Sequence, residues 1–229
     1  MKHMQVGFDL GPVPSRQPYR NSATGRHLFI AARPDRPAAM AAQSIAREFR
    51  DHYRIDRQPL PDWRLHVTLI GLGRHETLPA SLVYHAREAL DHARFAPFEI
   101  AFDRVMSFGS GSSHPVVLCL SARSAALDRA VGRLASALAG LGVDCRYEPG
   151  FQAHMTLIYH TRPVGTDELP APVRWTVDRF WLVESLHGQG SYDFLWPLKA
   201  CHRPQAPSAE RFASSRSGRW MSMTDPPGS

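Results

Sequence analysis

The chain has 229 residues, 43% of them hydrophobic and 21% charged, and carries a formal net charge of +6. That is enough apolar material for one substantial core, and the mix excludes wholesale disorder, a collagen-like repeat and a disulfide scaffold. No apolar stretch approaches the roughly 18–20 residues of a membrane span, and the N-terminus lacks the apolar segment of a secretory signal.

The charge is unevenly placed. Residues 1–27 hold four basic and one acidic side chain and residues 201–229 hold four and two, which leaves 28–200 at +1. A duplex-binding protein concentrates basic residues on the folded domain, so this distribution argues against tracking a long nucleic acid. The three cysteines, Cys119, Cys145 and Cys201, are odd in number and lack metal-ligand spacing, which fits a reducing, cytoplasmic setting.

In chain order, residues 1–25 read as a disordered tail containing Gly11-Pro12-Val13-Pro14 and Pro18. A short buried strand is expected at 27–32, closed by Arg33-Pro34. A helix follows from Asp35 to about Tyr53, with Ala41, Ile45 and Phe49 on one face. Residues 64–72 read as a strand and 79–95 as a second helix. Strands at 98–108 and 116–122 flank Gly109-Ser110-Gly111-Ser112-Ser113, a turn by composition. The clearest helix is 124–141, where Leu127, Val131, Leu134, Leu138 and Leu141 recur every three or four residues. Strands at 151–160, 173–186 and 192–198 complete a domain over 26–200, and 201–229 reads as a second disordered tail. No dinucleotide fingerprint or P-loop is present.

One pattern departs from this ordinary picture. His66-Val67-Thr68-Leu69-Ile70 and His154-Met155-Thr156-Leu157-Ile158 agree at four of five positions, 88 residues apart. A lone strand histidine is more often structural, but a matched pair with matched threonines points to duplicated structure. Strict alternation places His66, Thr68 and Ile70 on one face, and His154, Thr156 and Ile158 likewise. Two strands meeting across a cleft then offer two imidazoles and two hydroxyls to one pocket. Two imidazoles are too few for a closed zinc site. They suit metal-free phosphoryl chemistry, one taking a proton from water while the other gives one to the leaving oxygen. The hydroxyls suit the non-bridging oxygens, where transition-state charge is held.

These two His-x-Thr-x motifs, HVTL at 66–69 and HMTL at 154–157, resemble those of the 2H phosphoesterases, in particular the group of 2′-5′ RNA ligases and RNA 2′,3′-cyclic phosphodiesterases. The likeness runs over about 26–200 and includes the opening HLFIAARP strand. It implies an α+β fold of two pseudo-symmetric lobes, each an antiparallel sheet with helices outside, flanking a central groove. It further implies a monomer that opens a 2′,3′-cyclic phosphate at an RNA 3′ end to a 2′-phosphate, with reversible 2′-5′ ligation in some members, and with neither metal nor cofactor. By the same resemblance His66 is general acid, His154 general base, and Thr68 and Thr156 bind phosphate. Many members continue the second motif to a phosphate-binding arginine; this chain has Tyr159 there. Arg64, two residues before His66, is one replacement for the missing charge, with Arg146 and Arg162 as others. Trp63, Phe108 and Phe151 are candidates to stack on a base. A small cyclic nucleotide, a 2′-5′ oligonucleotide, or a non-catalytic nucleotide-binding role remain alternatives.

Overall fold

The computed structural model describes residues 25–109, 112–145, 151–186 and 191–199. The C-terminal tail expected from the sequence, the N-terminal tail but for Gly25, and Arg146 lie outside them. Strand β1 (Arg26–Ala32) leads to helix α1 (Arg36–His52), a 3₁₀ turn (Asp62–Arg64) and β2 (Val67–His75). Helix α2 (Ala80–His92), β3 (Phe98–Ser107), β4 (Val116–Cys119), α3 (Ala125–Gly140) and β5 (His154–Ile158) follow. The chain then forms β6 (Asp167–Val177), β7 (Arg179–Leu186) and β8 (Ser191–Lys199).

Local chemistry explains the units. Asp35 accepts the Ala38 amide (2.9 Å) and Pro37 lies in the first turn, so α1 starts where β1 stops. Ser124 caps α3 in the same way through the Leu127 amide (3.3 Å). Ala38, Ala39, Ala42 and Ala46 of α1, and Leu127, Val131, Leu134 and Leu138 of α3, recur at helical spacing and are buried.

The eight strands among the described residues join one antiparallel sheet in the order β6-β3-β4-β5-β2-β1-β7-β8. Each pairing is antiparallel, and the fold is α+β as expected. The two four-stranded halves meet between β2 and β5, where a single pair, Val67 with Met155, bridges them. Two equivalent units, β1-α1-β2 and β4-α3-β5, lie on either side of that seam, while β3 and β7 each join the half begun by the other unit. All three helices bury against one sheet face, in a core that includes Leu28, Ile30, Val67, Phe102, Met155 and Phe180. A second, smaller cluster of Phe29, Ala31 and Val183, with Trp181, Tyr192 and Phe194 packed on it, covers part of the opposite face.

Three expectations need correction. Residues 173–186 are two strands, and β6 begins earlier, running through Pro170 and Pro172. Two prolines speak against a central strand, but β6 is at the sheet edge, where missing amide donors leave no ladder broken. Arg64 ends the 3₁₀ turn and is not part of the strand. Finally, Ile70 and Ile158 do not share a face with their histidines. Ala31 pairs with Thr68 and Ile30 with Ile70, so Leu69 is an extra residue. Val117 pairs with Thr156 and Val116 with Ile158, so Leu157 is the extra residue at the matching place. Each bulge reverses the alternation and turns the isoleucine into the core, where Ile70 and Ile158 are 1% and 0% exposed.

Candidate active site

The seam places the repeated motifs against each other. Val67 and Met155 point into the core, so their neighbours His66, Thr68, His154 and Thr156 take the opposite, helix-free face. Because the strands run antiparallel, the register sets His66 across from Thr156 and Thr68 across from His154. Each imidazole therefore has the other motif's hydroxyl as its cross-strand neighbour. All four side chains are partly buried.

The imidazoles are held alike. His66 Nδ1 lies 2.7 Å from the Arg64 carbonyl, and His154 Nδ1 lies 3.0 Å from the Gln152 carbonyl, in both cases two residues upstream. A carbonyl oxygen only accepts, so Nδ1 carries the proton in each ring and Nε2 is left for exchange with a bound molecule. The rings are also braced by aromatics. Phe29 and Tyr192 flank His66 at centroid distances of 5.2 and 5.3 Å, and Phe108 lies 4.7 Å from His154. Phe108 is held by its amide bond to the Pro115 carbonyl (3.0 Å) at the β3–β4 turn. Gly109 there has φ +95°, and a Cβ would run into the Ser113 carbonyl. Positions 110 and 111 of this turn lie outside the described residues.

Electrostatics separate the two halves. His66 is pushed down to about 4, first by burial and further by the positive charges of His154, Arg64 and Arg33, against the opposing effect of its bond to the Arg64 carbonyl. It is a neutral base at any ordinary pH. The Tyr159 phenol, half-exposed beyond β5, is pushed up to about 12 by burial and by Tyr192, whose side chain it hydrogen-bonds. It stays protonated and can donate. Arg64 lies close enough to both Tyr159 and His66 to act on each, with its guanidinium carbon 4.9 Å above the Tyr192 ring.

Of the suggested base-stacking residues, Trp63 is 45% exposed and sits 6.4 Å from Tyr192, whereas Phe108 packs on His154 and Phe151 packs against the core. Arg162 is exposed. Sequence reasoning missed Arg33, Tyr192 and Phe194. Arg33 carries no signal in the sequence beyond ending a strand. The two aromatics lie on β8, more than 120 residues from His66, with no motif to link them.

The sequence profile of the 2′-5′ RNA ligase superfamily matches residues 34–189, more than half the chain. The chain belongs to this superfamily of 2H phosphoesterases. Among solved structures, the protein is similar to E. coli LigT in apo form, with 20% identity, a TM-score of 0.61, and coverage of 78% of this chain and 99% of LigT. The LigT complex with 3′-AMP matches at 20% identity and a TM-score of 0.62 over the same shares. TT0787 of Thermus thermophilus matches at 23% identity and a TM-score of 0.59, over 77% of this chain and 100% of TT0787. No curated protein matches the chain. At these identities the structural likeness is one of fold. As a 2H phosphoesterase the protein has its motif histidines on the seam, as built above. Among the described residues no helix is long and apolar enough to cross a membrane, and no group of three or more His, Cys, Asp or Glu side chains is placed to hold a metal ion.

Proposed function

We propose that the protein is a metal-independent phosphodiesterase that opens a 2′,3′-cyclic phosphate at an RNA 3′ end to a 2′-phosphate. The observation that carries this reading is the matched pinning of His66 and His154 through Nδ1, which reserves two Nε2 atoms for proton transfer on one face of the seam. Water attacks phosphorus and yields its proton to Nε2 of one histidine. The bond from phosphorus to O3′ breaks, and Nε2–H of the other, as imidazolium, protonates the departing oxygen. Thr68 and Thr156 donate to the non-bridging oxygens, and Tyr159 adds a third hydroxyl donor.

Roles follow from charge. The family resemblance makes His66 the acid, but burial and cationic neighbours keep His66 neutral. We therefore assign His66 as base and His154 as acid. A nucleotide ligand is supported by the 3′-AMP, ATP and phosphate complexes of E. coli LigT, and by the exposed Trp63 beside Tyr192, a surface on which an unpaired base can stack. The net charge of +1 over 28–200 favours a terminus over an extended strand.

The test is hydrolysis of a short RNA ending in a 2′,3′-cyclic phosphate in excess chelator. Release of a 2′-phosphate is expected. A 3′-phosphate product, or activity that requires a divalent ion, overturns the mechanism. Two of the LigT complexes hold mononucleotides, 3′-AMP and ATP, so 2′,3′-cyclic AMP belongs in the same assay; a higher kcat/KM on it than on the oligomer would make the small nucleotide the substrate.

A further inference from the structure

Tyr159 leaves the second motif without the cation that the family pattern has at that place, and among the described residues the arginines that act on a motif histidine, Arg33 and Arg64, lie in the other half. Arg33 follows β1 directly. The Ala32–Val67 pair puts it beside His66, whose imidazole feels its charge. The Arg33 guanidinium carbon stacks 4.2 Å above the Phe194 ring, and its Nη2 reaches the Trp63 carbonyl at 3.4 Å. Its Nε is buried with no hydrogen-bond partner. Arg64 is arranged similarly, lying over Tyr192 with a buried Nε that also has no partner. Asp62 acts on Arg33 from the 3₁₀ turn, but its Oδ1 already accepts the Trp63 amide at 2.7 Å. Two guanidinium groups are thus placed over neighbouring rings of β8, each with a buried Nε that has no partner.

The two halves can be compared position by position. Ala31 pairs with Thr68 and Val117 with Thr156, so two residues further along Arg33 corresponds to Cys119, which pairs with His154. Cys119 is buried, and burial pushes its thiol up, so it is neutral. The halves match in backbone and differ in charge at this position; Arg104, which pairs with Cys119 on the neighbouring strand, is itself held by Glu168 at 3.3 Å.

We propose that Arg33, with Arg64 beside it, is the anion clamp of the site, donating to the non-bridging phosphoryl oxygens in place of a cation at position 159. A guanidinium presents paired donors to phosphate, a geometry that a tyrosine hydroxyl lacks. The clamp draws the phosphate toward the His66 half. It rests on the reading of this face as a phosphodiester site.

The experiment titrates the full chain with inorganic phosphate and with adenosine 2′-monophosphate by calorimetry, in wild type, Arg33→Gln, Arg33→Lys, Arg64→Gln and Arg162→Gln. Loss of Arg33 or Arg64 to Gln is expected to weaken both anions by at least ~10-fold, the scale of a charged hydrogen bond. Arg33→Lys keeps the charge and loses less, which separates a lost clamp from a lost fold, and Arg162→Gln binds as wild type. Wild-type affinity in Arg33→Gln, or loss confined to Arg162→Gln, overturns the clamp. A wild-type chain that binds phosphate through Arg33 yet opens no cyclic phosphate keeps the clamp and removes the reaction.

Discussion

His66 and His154 have the same residue type, the same upstream carbonyl bond and the same place on the seam, yet their electrostatic surroundings differ. His66 sits among Arg33, Arg64 and ring faces, and it titrates near 4. Two outcomes follow at this scale. Alanine at either histidine should cost at least ~100-fold in kcat, within the range of general acid–base catalysis. On a nucleotide 2′-(p-nitrophenyl phosphate), the 3′-hydroxyl attacks phosphorus and gives its proton to His154, while p-nitrophenolate leaves from the place of water without needing a proton; His66→Ala should recover most activity there and His154→Ala little, and the reverse pattern would exchange their roles. The same shift reaches stability. Between pH 6.5 and about 4 the unfolded chain binds a proton that folded His66 refuses. Unfolding therefore takes up a proton, and acidification favours it. Urea titrations at pH 7 and pH 4 should show wild type losing about 3 kcal/mol more than His66→Gln.

The elements rest on short-range devices that can be tested separately from the chemistry. Asp35 gives α1 its start, and Asp35→Ala should lower stability by about 1 kcal/mol in thermal or urea unfolding, with kcat nearly unchanged. Gly109→Ala is different in kind. Its φ of +95° and the nearby Ser113 carbonyl leave no room for a Cβ, and the turn holds Phe108 against His154. Stability should fall by more than about 1 kcal/mol, and kcat should fall with it. If kcat is untouched, Phe108 does not position His154. The twin bulges at Leu69 and Leu157 serve both halves. They let each strand put a histidine and a threonine on the open face and still bury Leu and Ile together in the core. The Leu157 carbonyl is itself taken by the Leu60 amide at 2.7 Å, which ties the α1 unit to the β5 half.

At the scale of the molecule, one sheet carries two halves whose backbones correspond and whose open faces do not. The β8 side of the seam has rings and guanidinium groups; the other side has Cys119, Val117 and Phe108. On the proposed reading this asymmetry orients the substrate, because charge and stacking surface lie together beside His66. The folded part is close to neutral overall, so few backbone phosphates can be engaged. The slope of log(kcat/KM) on an RNA oligomer against log salt should be shallow, about −1 to −2, as for one to three single-strand phosphates. A slope steeper than about −4 would mean that the basic ends of the chain hold the RNA strand.

The tandem motif, the strand–helix–strand order around each copy and the leucine stripe of α3 were legible in the sequence because they depend on periodicity and nearest neighbours, which a chain carries without knowing its fold. Arg64, Tyr159 and the motif residues could be named for the same reason. Which face Ile70 and Ile158 occupy was not legible, because a bulge is defined by the partner strand, and alternation alone assumes there is none. Nor was the strand status of β6, whose prolines are tolerated only because pairing order puts it at the edge. Arg33, Tyr192 and Phe194 come from opposite ends of the chain and acquire a role only when β7 inserts beside β1 and brings β8 with it. The depressed His66 is likewise a sum over burial, the neighbouring Arg64 and two charges distant in sequence, Arg33 and His154. Local pattern sufficed to name the candidate reacting groups; the electrostatic setting that separates them belongs to the tertiary structure, because solvation and Coulomb effects depend on distance in space.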